Sequence, residues 1–286
     1  MTSRFDNCVN APAGISSTET EEKLKEATGR RNRRIASWEE IRACITDPTP
    51  DGLAIIDQLH SGGLAFTRLL AKFSEVKEGE KVLDVGCGAG GPARVLAAEK
   101  GATVTAIDIT AGLIDLAKHL SEISQIPVTF EQADALNLPY ESGSFDLVWT
   151  QHAAATIANK ERFYGEMRRV LKPGGKLAMH DFVMGSNEGP LHMPIPSADT
   201  EDVTFLMQPD RLRGLLAELG FREVQWRDVT QATFGWFGML PPPGSFSIRL
   251  IKGDGFPEMV ENLKRNLEEG RIGVAMAIFE ATDTAA

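Results

Sequence analysis

The side chains best placed to do chemistry lie in one glycine-rich loop and at the ends of the strands around it. The loop is Asp84-Val85-Gly86-Cys87-Gly88-Ala89-Gly90-Gly91, and its Gly86, Gly88 and Gly91 satisfy the spacing GxGxxG. Glycines there permit a tight turn and close approach of a ligand to the backbone, and the next helix turns free N–H groups and a partial positive charge toward it. That much fits any nucleotide-type cofactor, NAD(P) included. Asp84 argues for something else. A carboxylate two positions before the first glycine would repel a pyrophosphate, whereas it suits a cation such as the amino group of a methionine moiety. Asp108, at the end of the next strand, can accept from both hydroxyls of a ribose, a feature shared by both readings. Pro92 opens the following helix at a position that needs no N–H.

Four ordered segments carry a family resemblance. Val82 to Gly91 resembles motif I of the class I S-adenosylmethionine-dependent methyltransferases, and Asp108 matches their ribose-binding acid. Gln132-Ala133-Asp134-Ala135-Leu136-Asn137-Leu138-Pro139 resembles their adenine-contacting segment. Ser144 to Trp149 resembles the fourth-strand motif, and Glu166 to Leu177 the lead into the fifth strand. The resemblance covers about residues 53–230. It implies S-adenosyl-L-methionine as cofactor, with contacts from Asp84, Gly86, Gly88, Gly90, Asp108 and the adjoining Ile109, Asp134 and the adjoining Ala135, and Gln151. Asp57-Gln58-Leu59-His60-Ser61-Gly62-Gly63 resembles a small-molecule subgroup that includes sarcosine/dimethylglycine N-methyltransferases and ubiquinone/menaquinone C-methyltransferases. In that subgroup the segment before motif I folds over the cofactor. Gln58 and Gly63 then touch its methionine end, or else serve ordinary helix packing and a flexible joint.

Methyl transfer asks little of the protein beyond alignment and exclusion of water, because the cofactor carries the activated group. A base is needed only for a protonated acceptor such as a phenol, an alcohol or a carbon acid. His152, just after Gln151, and His180, beside Asp181, are the candidate catalytic residues, each as a base or a substrate contact; the alternative for each is a pocket wall bonded to backbone. His152 stands where some relatives carry Asp. His60 and His192 have no distinctive partner in sequence. No nucleophilic triad is apparent, and Cys8, Cys44 and Cys87 lack zinc spacing, so no metal is expected. Too few thiols are present for arsenic methylation.

These residues need elements to hold them. Lys81–Val85, Ala102–Ile107, Val128–Gln132, Phe145–Thr150, Lys176–His180, Arg222–Thr230 and Gly273–Ala281 read as strands. Helices are expected over Pro92–Lys100, Ala111–Ser121 capped by Thr110, Asn159–Leu171, Asp210–Leu219 and Phe256–Glu269. Alternating strands and helices predict an α/β, Rossmann-like, seven-stranded and mostly parallel sheet with helices on both faces, binding its ligand at the strand carboxyl ends. Residues 1–18 read as a loose tail. Residues 19–73 read as an N-terminal helical extension covering the cofactor site, and 74–286 as the methyltransferase domain. Lys172-Pro173-Gly174-Gly175 is a predicted turn. The run Arg30-Arg31-Asn32-Arg33-Arg34 reads better as a solvated helix face than as an anion patch.

Two insertions, at about 183–208 and 231–270, carry methionines and aromatics, among them Met184, Met193, Phe205, Phe234, Trp236 and Met239. They form an adaptable apolar pocket or pad the outside of the sheet. The net charge of −10 over 286 residues disfavours nucleic acid, and the acceptor is expected to be a small, partly apolar molecule. No apolar run is long enough for a membrane span, and neither a leader nor a disulfide framework is apparent, so a cytoplasmic location is expected. Oligomeric state, and the choice among N-, O- and C-transfer, stay open. An NAD(P)-dependent oxidoreductase and a cofactor-binding module without turnover are the competing functions.

Overall fold

The chain was analysed as a computed structural model, which describes residues 36–238, 251, 253 and 255–282. The expected tail, the Arg30–Arg34 run, Cys8 and the Met239–Phe246 part of the second insertion lie outside the described residues.

Among the described residues three short helices come first: α1 (Trp38–Ala43), α2 (Pro50–Asp57) and α3 (Gly63–Ser74). Their boundaries follow local chemistry. Ser37 and Glu40 form a capping box for α1. The Thr49 hydroxyl caps α2 with Pro50 in its first turn. Gly62, at φ +81, turns the chain into α3.

The sheet then begins. Its strands are β1 (Lys81–Val85), β2 (Thr103–Asp108), β3 (Thr129–Gln132), β4 (Phe145–Gln151), β5 (Leu171–Met184), β6 (Phe221–Asp228) and β7 (Ile272–Ala281). They lie in the order β3-β2-β1-β4-β5-β7-β6. The first five pair in parallel, whereas β7 runs antiparallel between β5 and β6. The order reverses between β1 and β4, so the switch-point crevice opens at the carboxyl ends of those two strands. The linking helices are α4 (Gly91–Lys100), α5 (Ala111–Ser124), α6 (Lys160–Val170), α7 (Pro209–Glu218), α8 (Thr230–Phe237) and α9 (Phe256–Glu268).

Side chains alternate across each strand, and the two faces build separate cores. Val82, Ala106, Leu147, Trp149 and Ala178 pack with Phe66 and Leu70 of α3. Leu83, Val85, Ile107, Val148, Leu177 and Met179 pack on the opposite face with Phe163, Tyr164 and Met167 of α6. Burial on both faces is why these strands read as continuous apolar runs. A third cluster joins Ile41, Leu53 and Ile56 to Ala89 in the glycine loop and to Leu116 and Leu120 of α5.

Some expectations are corrected. Thr110 stands at the start of α5 without a side-chain cap; Asp108 Oδ1 instead accepts the Thr110 N–H at 2.9 Å. β5 already begins at Leu171, paired with Phe145, and the Lys172–Gly175 stretch is absorbed into a bulged register. β5 also runs on to Met184, into the first insertion. β6 ends at Asp228, because Asp228 Oδ1 takes the Thr230 N–H and α8 starts there.

Candidate active site

The glycine loop leaves β1 at the switch point. Gly86, Gly88 and Gly90 have φ of +78°, +55° and +79°, a region closed to most side chains. A side chain at Gly86 would meet Ala153 Cβ at 2.5 Å, and one at Gly90 would meet the Phe130 ring at 2.6 Å. Only a bare backbone fits between the loops following β1 and β4.

Asp84 is 1% exposed, and its Oδ2 has no hydrogen-bonding partner among the described residues. Burial, reinforced by the nearby Asp108 charge, pushes its carboxyl up to about 8. A buried orphan acid beside a glycine cradle is poorly satisfied alone and well satisfied by a cation that donates hydrogen bonds. Asp108 ends β2 half-buried; its Oδ2 accepts the Gly88 N–H at 3.0 Å and its Oδ1 the Thr110 N–H. Its carboxylate is thereby aligned along the loop. These groups fit S-adenosylmethionine: Asp84 for an ammonium, the loop backbone for its chain, Asp108 for a diol.

Asp134 follows β3, half-buried, with Oδ1 accepting the Leu136 N–H at 2.9 Å, so the turn carrying Ala135 is held in shape. Ile109, also half-buried, accepts from Gln132 Nε2 through its carbonyl.

The segment between α2 and α3 lies against the loop. A side chain at Gly88 would touch Leu59, and one at Gly91 would meet Gln58 Nε2 at 2.5 Å. Gln58 therefore comes to the first turn of α4. At Gly63 the nearest side chain is Trp236, 3.4 Å from where a Cβ would be. A buried ion pair fastens this cover. Arg94 Nη2 lies 2.8 Å from Asp57 Oδ2, both side chains being at most 1% exposed. Arg94 did not stand out in the sequence, and Asp57 did so only as the first residue of the Asp57–Gly63 segment.

Behind the cover lies a buried polar network. The Thr67 hydroxyl is 2.7 Å from Gln58 Oε1, 3.0 Å from His60 Nε2 and 3.2 Å from Gln151 Oε1. Gln151 Oε1 also accepts the Trp149 indole N–H at 3.0 Å, and Gln151 Nε2 lies 3.2 Å from His180 Nδ1. Gln151 and His180 are register partners across β4 and β5, which is why they meet. Burial drives His60 down to about 4 and His180 well below its ordinary value, so both are neutral imidazoles near pH 7.

His152 follows β4 directly. Its ring centroid lies 4.5 Å from that of His180 and 4.1 Å from Phe182, and its Nε2 is 3.0 Å from Ser61 Oγ. Its backbone is left-handed, φ 54°. The other two described non-glycine residues with positive φ, Glu75 and Gln125, end helices, where such a conformation is routine. His152 is not at a helix end, and strain of this kind gathers at functional sites. Its N–H donates to the His180 carbonyl at 2.8 Å. Asp181 clamps the turn that follows: its Oδ2 accepts the Ala154 N–H at 2.7 Å.

Sequence reasoning placed His152, His180, Gln151 and Gln58 individually but did not connect them. It missed Thr67, left His60 without a partner, and gave Ser61 and Trp149 no role beyond the motifs that contain them. The spacing Gln58-x-His60 was the available signal; its partners lie dozens of residues away. Among the described residues no group of His, Cys, Asp and Glu side chains converges as a metal site.

A family model described as a methyltransferase domain matches residues 83–179. Methyltransferase GfsG of Streptomyces halstedii is 38% identical over 152 residues, which is 51% of this chain and 55% of the relative, so the match spans about half of that protein. The 27-O-demethylrifamycin SV methyltransferase of Amycolatopsis mediterranei is 32% identical over 223 residues, 66% of this chain and 80% of that one. The chain belongs to the S-adenosylmethionine-dependent methyltransferases. Its fold agrees: the geranyl diphosphate C-methyltransferase of Streptomyces coelicolor A3(2) superposes with a TM-score of 0.68, at 15% identity over 95% of this chain and all of the other. In this methyltransferase the oxidoreductase reading of the loop falls away, in line with what Asp84 argued in the sequence.

Proposed function

We propose that this methyltransferase acts on a hydroxyl oxygen of a small, partly apolar molecule, and that His152 takes the hydroxyl proton. The observation that carries the reading is the strained backbone of His152 at the mouth of the switch-point crevice, with its ring held between Ser61, His180 and Phe182. A hydroxyl must lose its proton as it becomes an ether, and an amine free base need not; a dedicated imidazole at this place favours the former. The rifamycin relative, whose name specifies a 27-O-demethyl substrate, points the same way.

When bound, S-adenosylmethionine supplies an electrophilic methyl on a sulfonium. Asp84 would hold the cationic end, Asp108 the ribose and Asp134 the adenine, with Gly86, Gly88, Gly90, Ile109 and Ala135 lining the site. The segment of α2 and α3 covers the site, fastened by Asp57 and Arg94, and excludes water. The first insertion and α8 bring Met184, Leu191, Met193, Phe234 and Trp236 to the apolar cluster containing Phe66 and Phe182, and this supports an apolar acceptor pocket. Net charge −10 supports a small molecule over nucleic acid. No helix of the described residues is long and apolar enough to cross a membrane, and the described Cys44 and Cys87 are free thiols; we take the location to be cytoplasmic.

The test is label transfer from S-adenosylmethionine into a metabolite extract, with products read by mass spectrometry for one added methyl on oxygen. His152→Ala is expected to lower kcat by about 10²-fold or more, with S-adenosylhomocysteine affinity within about threefold. Wild-type turnover in that variant, or methyl found on nitrogen, would refute the reading.

A further inference from the structure

His180 was expected to be a base, a substrate contact or a pocket wall. The bonding around it permits a more specific assignment. The Trp149 indole N–H can only donate, so the Gln151 atom facing it at 3.0 Å must be the carbonyl oxygen. That orients the amide and turns its NH₂ toward the histidines. His60 turns Nδ1 to the Ser61 carbonyl at 3.0 Å and Nε2 to Gln58 Oε1 at 3.0 Å, and its Nδ1 stands 3.5 Å from Gln151 Nε2, so His60 is the more distant partner of that amide. The nearer partner of the Gln151 N–H is His180 Nδ1, at 3.2 Å. Nδ1 of His180 is therefore an acceptor whose lone pair is already engaged. A neutral imidazole has one ring proton, and in His180 it must sit on Nε2. This Nε2 is on the ring edge away from Gln151. It is fully buried and has no hydrogen-bonding partner among the described residues. A native protein seldom leaves a buried donor unused without a ligand or water to take it.

We infer that His180 is a hydrogen-bond donor, not a base: Trp149, acting through Gln151, holds it as the Nε2–H tautomer, and that N–H binds an oxygen of the methyl acceptor. The inference rests on the oxygen acceptor proposed above. Trp149 and Gln151 are then positioning residues, and His180 and His152 divide the work, one giving a hydrogen bond and the other receiving a proton. The other groups facing the His180 ring are His60, His152 and Phe66, of which none is anionic, so nothing beside it favours an imidazolium.

The substitution pair His180→Gln and His180→Met separates donor from base. A glutamine amide can present an N–H near the position of Nε2 but cannot act as a base. His180→Gln is expected to keep label transfer within about fivefold of wild type, and His180→Met to lose ten- to hundredfold in kcat/KM. Equal losses in both would overturn the donor assignment. Because both variants could perturb packing, the full wild-type chain carrying ¹⁵N-labelled histidine, with S-adenosylhomocysteine bound, gives a second measurement. Long-range ¹H–¹⁵N spectra should show His180 protonated at Nε2 alone from pH 8 to 6, and Trp149→Phe should weaken that preference while raising KM more than it lowers kcat. A proton on Nδ1, or an averaged pair of nitrogens, would overturn the inference whatever the turnover. An Nε2–H signature together with methyl on nitrogen would instead overturn the acceptor reading and, with it, the donation to oxygen.

Discussion

Replacing Asp84 by Asn tests the cofactor cradle through thermodynamics alone. In the cofactor-free fold, burial and Asp108 raise the Asp84 carboxyl from 3.8 to about 8. The folded state therefore keeps a proton that the unfolded chain releases near pH 4. Between those values the folded state binds more protons, so stability falls as pH rises and is greatest below the lower value. The difference is about 4 units, and each unit is worth about 1.36 kcal/mol. Asp84 thus costs the empty fold about 4 kcal/mol at pH 7 and nearer 6 above pH 8, to order of magnitude. Asp84→Asn is nearly isosteric and has no charge to lose. Denaturation of both proteins without cofactor, from pH 5 to 8, should show wild type losing about 1.4 kcal/mol per pH unit relative to the variant. Taking the difference between the two proteins cancels the contributions of His60, His180 and Asp181. Cofactor binding should reverse the ranking. An ammonium needs the ionised carboxylate, so at pH 7 binding should release about 0.9 proton. S-adenosylhomocysteine affinity should rise up to tenfold per unit from pH 6 to 7.5, below the range where its own α-amino group titrates. Calorimetry in buffers of different ionisation enthalpy reads both. Parallel stability curves, or proton release unchanged in Asp84→Asn, would refute the reasoning.

Two further substitutions probe neighbouring parts. Asp108→Ala removes the acceptor of the Gly88 and Thr110 N–H groups together with the proposed ribose contact, so calorimetric affinity for S-adenosylhomocysteine should fall about 10²-fold or more. Unchanged affinity would discard the ribose assignment. Asp57→Ala strands the fully buried Arg94 guanidinium and should cost about 3–5 kcal/mol, or roughly 10 °C in Tm, whereas Asp57→Ala combined with Arg94→Met should recover most of it. Calorimetric scans that rank the double variant below the single would show that the pair acts otherwise.

The parts of the molecule legible in sequence are those governed by near neighbours. β1, the loop after it and the Pro92 turn of α4 are specified within a dozen residues, and they lie where alternation, glycine and proline put them. The Asn159 cap was readable for the same reason, and it accepts the Arg162 N–H at 2.9 Å. Thr110 misled because its neighbour Asp108 is a stronger acceptor for the same segment. β7 was readable as a strand but not as antiparallel or as inserted between β5 and β6, since periodicity carries no direction. The Asp57–Arg94 pair and the Trp149–Gln151–His180 chain were out of reach. Asp57 and Arg94 sit on separate helices 37 residues apart, and His180 meets Gln151 only through the β4–β5 register, so no window along the chain contains both ends of either contact.

The position of β7 also bears on how the chain is assembled. Ile272–Ala281 is the last described strand along the chain, yet it fills a slot between two strands made before it. During synthesis β5 and β6 emerge first, each with an open backbone edge where β7 will lie. Until the final strand leaves the ribosome those edges can recruit other chains instead. The nine-residue pairing of β7 with β5, from Lys176↔Glu280 to Met184↔Ile272, then closes the sheet late and along nearly its whole length. A nascent chain stalled before that strand would be a nearly finished sheet with a missing plank, and a natural client for chaperones that shield exposed strand edges.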